Sequence, residues 1–307
     1  MATLLGRPLV RLLVVSGCAL LATAGVPRPA AAQDPTTSDR SRAAEADDRP
    51  QPARLRIHGV ILAAGAGALI ASGALQSRLA PAACRWCDVH ADGTDALNGL
   101  DRRVRDWWRW NHAGTADTTS SVLALGVIPA AAIGLDYWAA RADGHGPDAK
   151  IDALVIAEAA VLAANATQAL KYLTARQRPY AHARALGQPT DVPSGSGDNL
   201  SFSSDHTATA FALAVSAARV ATLRRYGRAR WLWRIGLPAA AAVGYLRIAA
   251  DQHHLTDVLA GAGVGTALGV VVPHLVFSDR APPARSRTRL SVQPLWFGPF
   301  AGVRCTW

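Results

Sequence analysis

The stretch Tyr245–Gly265, YLRIAADQHHLTDVLAGAGVG, decides how this chain is read. An apolar run ends at Arg247, and a short polar hinge carries Asp251, Gln252, His253 and His254. A second apolar run then starts at Leu255, with Asp257 in its first turn. Neither run alternates polar and apolar residues as a half-buried strand does, so both read as helices. Chemistry-bearing side chains are thus expected to gather where two apolar helices meet.

The same arrangement occurs twice upstream. Lys171-x6-Arg178-Pro179 closes one apolar stretch, and Ser203-Ser204-Asp205-His206 opens another. Stretches rich in Ala, Gly, Leu and Val lie at roughly 57–75, 119–138, 151–170, 206–222, 232–246 and 255–275. Each is close to the ~20 residues that cross a bilayer. The expected fold is all-α, a six-helix bundle over 57–277 that is membrane-embedded. Upstream, Arg7 and Arg11 precede the apolar run Leu12–Leu21, and Ala30, Ala31 and Ala32 offer a small-residue cleavage site, so 1–32 reads as a signal peptide. A competing reading is a lipoprotein box ending at Cys18. Residues 33–56, rich in Asp, Arg, Pro, Ser and Thr, read as a disordered linker. The tail, 278–307, contains LSVQPLWFGPFAGVRCTW, which suggests a short hairpin or extended strand.

Composition narrows the partners. The chain has 307 residues, 50% hydrophobic, with a formal charge of +10, and its arginines are scattered instead of forming one basic tract. No nucleic-acid-binding signature accompanies them. Anionic lipid head groups or phosphorylated substrates are the expected partners. Cys84-Arg85-Trp86-Cys87 has the spacing of a zinc site, a redox pair or a local disulfide. Zinc would need two more ligands and only His90 is near, so a structural disulfide suits an oxidising compartment better. Cys305 is then left over or pairs with one of the two. Asn98–Trp110, with Arg102, Arg103, Arg105, Trp107, Trp108 and Trp110, reads either as an interfacial amphipathic helix or as a surface helix with its aromatics packed inward.

The membrane reading carries a tension. Asp136, Asp152, Glu158 and Asn165 are costly in hydrocarbon, and the mean hydropathy of +0.12 is low for six spans. The loop from Arg224 to Arg230 is the most basic between apolar stretches and is expected in the cytoplasm, which puts the three polar clusters outside. Counting back, the first helix then starts inside, which an exported N-terminus forbids. Either that stretch does not span, or the leader is misread, or the bundle lies wholly outside the inner membrane. The expectation adopted is a bacterial envelope protein, membrane-embedded with a periplasm-facing site, the alternative being soluble and periplasmic.

The clusters supply what phosphate-ester cleavage needs: cations for the phosphoryl oxygens, an in-line nucleophile and an acid for the leaving oxygen. Lys171, Arg178 and Arg247 are candidate cations, and the two arginines carry planar forks suited to phosphate. Alternatively each snorkels from a helix end. His253 and Asp257 share a helical face at i,i+4, and His254 shares it at i,i+3, so spacing leaves both histidines as candidates for an imidazole oriented by a carboxylate. Ser204 is a candidate phosphate donor at a helix N-terminus, followed by His206 as a candidate general acid. Helix capping by Ser203, Ser204 and Asp205 is compatible with that role.

In order, K-x6-RP, then S-S-D-H where a P-S-G-H-like signature is usual, then R-x5-H-x3-D resemble the type 2 phosphatidic acid phosphatase superfamily. That group includes bacterial acid phosphatases and vanadium haloperoxidases. The likeness covers about Lys171–Gly265, and the apolar flanks extend it to 57–275. It implies that Lys171, Arg178 and Arg247 hold phosphate, that Ser204 and the backbone N–H of Asp205 complete the cradle, and that His206 is the acid. His253 is then the nucleophile and Asp257 its orienter. It implies a phosphatase for a phosphomonoester or diphosphate, of a lipid or isoprenoid, working through a phosphohistidine without metal or other cofactor. The alternatives are a vanadate-dependent haloperoxidase and a non-catalytic envelope protein with a degenerate site. Three positions depart from the family pattern: Ser203 for proline, Asp205 for glycine and Leu246 for serine.

Overall fold

The computed structural model describes residues 52–90 and 92–277, together with the backbone of two strands, β1 (Ser291–Phe297) and β2 (Phe300–Thr306). The signal-peptide reading, Cys18 and most of the expected linker lie outside the described residues. The strands pair antiparallel with Val292 opposite Cys305.

Each of the six apolar stretches is helical, because Ala and Leu favour helix strongly enough that the prolines in three of them, Pro129, Pro238 and Pro273, do not end it. The elements are α1 (Pro52–Ala74), α2 (Gln76–Leu79), α3 (Gly99–Trp108), α4 (Ala113–Val122) and, after one π-helical turn at Leu123–Val127, α5 (Ile128–Ala142). They continue as α6 (Ala149–Thr174), α7 (Pro179–Ala185), α8 (Asp205–Leu223), α9 (Ala229–Ala249) and α10 (Leu255–Phe277). The π turn keeps α4 and α5 continuous as a single rod. Four helices are long and apolar enough to cross a membrane: Leu55–Ala74, Ala113–Ala142, Gly146–Thr174 and Leu255–Phe277. The two stretches that fall short do so on composition: α9 carries Arg230, Arg234 and Arg247, and α8 carries Asp205, His206 and Arg219. Helix α8 is the shielded centre, packed against α5, α6, α9 and α10.

That centre is made of alanine facing glycine. Ala208, Ala210, Ala212, Ala217, Ala218 and Ala221 of α8 are all buried. A Cβ on Gly261, Gly265 or Gly269 of α10 would lie 2.4 Å from the Ser204 carbonyl oxygen, 2.2 Å from that of Ala208, and 2.9 Å from Val215 Cβ. Small residues every fourth position let two backbones touch, which is how helices pack without a hydrophobic drive between them. Gly265→Ala is expected to destabilise by about 1–3 kcal/mol, since the obstacle is rigid backbone. A thermal midpoint in detergent equal to the parent's would show that the α8–α10 contact has slack.

Helix α1 packs on α6 through polar rungs. His58 Nδ1 lies 2.7 Å from Glu158 Oε2, Asn165 Nδ2 donates to the Gly65 carbonyl at 3.0 Å, and Ser72 Oγ lies 3.3 Å from the Tyr172 hydroxyl. Positions 58, 65 and 72 therefore meet 158, 165 and 172, so the two helices run parallel on a seven-residue repeat. Asp152 is likewise compensated, accepting from Arg224 Nε at 2.9 Å and from the Tyr226 hydroxyl at 2.7 Å, whereas Asp136 is buried with its Oδ1 unpartnered.

The bundle's outside is apolar, with Ile70, Leu125, Ile133, Leu259 and Leu275 exposed. A surface of this kind on helices of crossing length supports membrane association. Aromatics sit at both ends: Trp107, Trp108, Trp110 and Tyr245 near the polar clusters, Trp138 and Trp231 near the arginine-rich loop. Trp107 is 72% exposed, so the inward-packed reading of α3 is overturned. Its buried residues are Asp101 and Val104, and Asn98 caps it by accepting from the Asp101 N–H. Trp110 instead donates to the Tyr245 hydroxyl at 3.0 Å.

Candidate active site

Four helix ends converge on one spot. Lys171 lies in the last turn of α6, Arg178 at the N-cap of α7, Ser204 at the N-cap of α8, and Arg247 in the last turn of α9; His253 sits in the hinge before α10. Two hinges hold non-glycine residues in the left-handed region, Ala175 at φ 45° and Asp251 at φ 56°. Such conformations cost about 1–3 kcal/mol and persist only where the surroundings over-determine them. At Asp251 the determinant is Arg105 of α3, whose Nε and a terminal nitrogen donate to the carboxylate at 2.6 and 2.8 Å.

His253 is fully buried, and its Nδ1 donates to the Ser201 carbonyl at 2.7 Å. A carbonyl only accepts, so the proton is on Nδ1 and the lone pair is on Nε2. Nε2 has no hydrogen-bond partner and lies 3.9 Å from Asp205 Oδ1. Burial pushes His253 well below the ordinary imidazole range, and the cations Arg178, Arg247 and Lys171 add to this against the pull of Asp257. The imidazole is therefore neutral at pH 7. His254 points elsewhere, its Nε2 lying 3.3 Å from the Gln177 carbonyl. Geometry thus separates the two histidines that spacing leaves equivalent.

Asp257 differs from the expected orienter. Its nearest oxygen is 3.8 Å from His253 Nδ1, too far for a hydrogen bond. It accepts from Ser201 Oγ at 2.5 Å, from the His254 N–H at 2.9 Å and from Arg176 at 2.6 Å. Its hold on His253 is indirect: it fixes Ser201, whose carbonyl fixes the ring.

The three cations do converge, but two are already paired. Lys171 Nζ lies 2.8 Å from Asp205 Oδ1. Arg247 donates to Asp117 Oδ1 at 2.5 Å and to Ser120 Oγ at 2.9 Å, while its Nε is buried without a partner. Arg178 is held by neutral oxygens, the Gly197 carbonyl at 2.9 Å together with the carbonyl and side chain of Gln252. His206 sits between Asp205, 3.3 Å from Nδ1, and Ser121 Oγ, 3.2 Å from Nε2. Ser204 occupies the N-cap position, yet its hydroxyl meets Thr207 Oγ1 at 2.9 Å and makes no capping bond.

Sequence reasoning missed Arg176, one of the unspecified positions between Lys171 and Arg178. It is fully buried and donates to Asp88 at 3.0 Å, Asp101 at 3.0 Å, Thr256 at 2.7 Å and Asp257 at 2.6 Å. Trp86 covers its guanidinium at 4.1 Å, and a Cys84–Cys87 disulfide closes the loop that carries Trp86. Arg176 lies in the short polar connection after the apolar stretch 151–170, where no local pattern marks it. Asp117, Ser120 and Ser121 were missed in part because the stretch was drawn from 119, at the edge of the polar run TADTTSS.

Cations, two imidazoles and a helix N-terminus lie around one buried nitrogen lone pair, a set of groups that can receive an oxyanion. Residues 152–281, which carry all three clusters, match the PAP2 superfamily model, which supports membership of that superfamily. Phosphatase-type activity is general in the family. No curated protein and no solved structure gives a significant match.

Proposed function

We propose that this chain is an envelope phosphatase that hydrolyses a lipid or isoprenoid phosphomonoester or diphosphate through a phosphohistidine on His253. The observation that carries this reading is a buried, neutral imidazole whose Nδ1–H is fixed by a carbonyl and whose free Nε2 faces three cations. Phosphate enters on Lys171, Arg178, Arg247 and the N–H groups at the start of α8. Nε2 attacks phosphorus, the bond to the leaving oxygen breaks, and His206 supplies that oxygen with a proton. Water then attacks the phosphohistidine while His206, now a base, takes its proton. Orthophosphate leaves and Nε2 regains its lone pair. The apolar outer surface supports a substrate drawn from the membrane, and the aromatics beside the clusters support a site at a membrane interface.

The test is phosphate release by purified protein from phosphatidic acid and from a polyprenyl diphosphate, with and without EDTA. Release of phosphate unaffected by EDTA is expected. Loss with EDTA would overturn the metal-free mechanism. Vanadate-dependent halide oxidation without phosphate release would favour the haloperoxidase, and inactivity on every ester a non-catalytic protein.

A further inference from the structure

Asp205 sits where an incoming phosphate must bind. Its carboxylate meets groups from three parts of the fold: Lys171 Nζ of α6 at 2.8 Å, His206 Nδ1 of α8 at 3.3 Å and His253 Nε2 of the α9–α10 hinge at 3.9 Å. A phosphoryl group attacked by His253 has to place phosphorus about 3–3.5 Å from that same Nε2. Its oxygens have to take the same Lys171. Carboxylate and phosphate therefore cannot hold these partners together, and both are anions.

We infer that Asp205 is a built-in competitor for the oxyanion site, exchanged for phosphate during binding and restored as product leaves; this rests on the phosphatase reading. Two features make the exchange feasible. The Asp205 side chain is 33% exposed, so it has solvent to rotate into once displaced. Lys171 and His253, by contrast, are buried and fixed in place. A second carboxylate is arranged in the same way: Asp117, 43% exposed, occupies Arg247. The chain thus covers two of its three cations with its own exposed carboxylates. Free orthophosphate has to break these pairs with no other source of binding energy. An ester anchored by an apolar chain outside the cradle brings extra energy to the same exchange. Asp205 accordingly weakens product inhibition, while an anchored ester keeps useful affinity through its chain.

Equilibrium binding of orthophosphate and of orthovanadate to the full chain in detergent, measured by titration calorimetry, tests this without turnover. Asp205→Gly and Asp205→Asn are each expected to bind both anions about tenfold tighter or more, because a like charge is removed from the site. Each variant should also gain more thermal stability from added phosphate than the parent, since a buried Lys171 has lost its partner. Affinities equal to or weaker than the parent's in Asp205→Asn, which keeps side-chain size, would overturn the exchange. Tighter anion binding without phosphate release from any ester would leave the exchange standing and sink the phosphatase reading.

Discussion

His253→Ala is expected to lose phosphate release by about three orders of magnitude or more, as removal of the proposed nucleophile would, while His254→Ala is expected to retain activity within about tenfold. The contrast follows from the ring environments. His253 presents a lone pair to the cation cluster, and His254 turns to the Gln177 carbonyl. Equal loss in both variants would remove the nucleophile assignment. The buried state of His253 also sets a pH dependence. Its folded pKa lies well below the unfolded value of about 6.5. Below that value the unfolded chain takes up a proton that the folded chain refuses, so stability falls as pH drops from about 6.5 toward the folded pKa. At and above neutrality this contribution is constant. Unfolding midpoints measured between pH 7 and 5 should fall less steeply in a His253→Gln variant than in the parent. Parallel slopes would show that the imidazole is not held neutral.

Arg176→Leu is expected to cost about 3–5 kcal/mol, because it strands three buried or nearly buried carboxylates, Asp88, Asp101 and Asp257, that share one guanidinium. Arg176→Lys should recover only part of this, since an ammonium lacks the fork that reaches four acceptors at once. The effect extends to the site. Asp257 loses its strongest donor and can swing toward His253, altering the Ser201 contact that fixes the ring. Arg176→Lys should therefore show a lowered kcat with KM nearly unchanged, alongside a lowered thermal midpoint. A midpoint and a kcat matching the parent's would show that the buried network is dispensable.

The helices were legible because apolar stretches of about bilayer length without alternation have few other solutions. The clusters were legible because their residue types suit a single chemistry. The rest depends on contacts between residues far apart in the chain. Arg176 meets Asp88 and Asp101, and Arg247 meets Asp117, across 75 to 130 positions, with no local pattern to announce them. The orienter of His253 is a backbone carbonyl, a group every residue possesses. Asp205 was visible as a departure from the family pattern, but only the structure shows it bonded to Lys171. The outward tryptophans of α3 could not be told from inward ones, because spacing fixes a face and not what that face meets.

The parallel rungs between α1 and α6 have a consequence for biogenesis. Lys171 marks the end of α6 at the clusters, so the parallel α1 begins at the opposite end, beside the loop from Arg224 to Arg230. Pro52 and the basic loop consequently share one compartment in any membrane-crossing arrangement. A leader cleaved outside delivers Pro52 outside, and the basic loop and an inward-facing cradle come with it. An outward-facing cradle requires the chain to enter from within. The two are exclusive, so one impermeant label placed on the basic loop reports both the route of insertion and the compartment whose phosphate esters this protein meets.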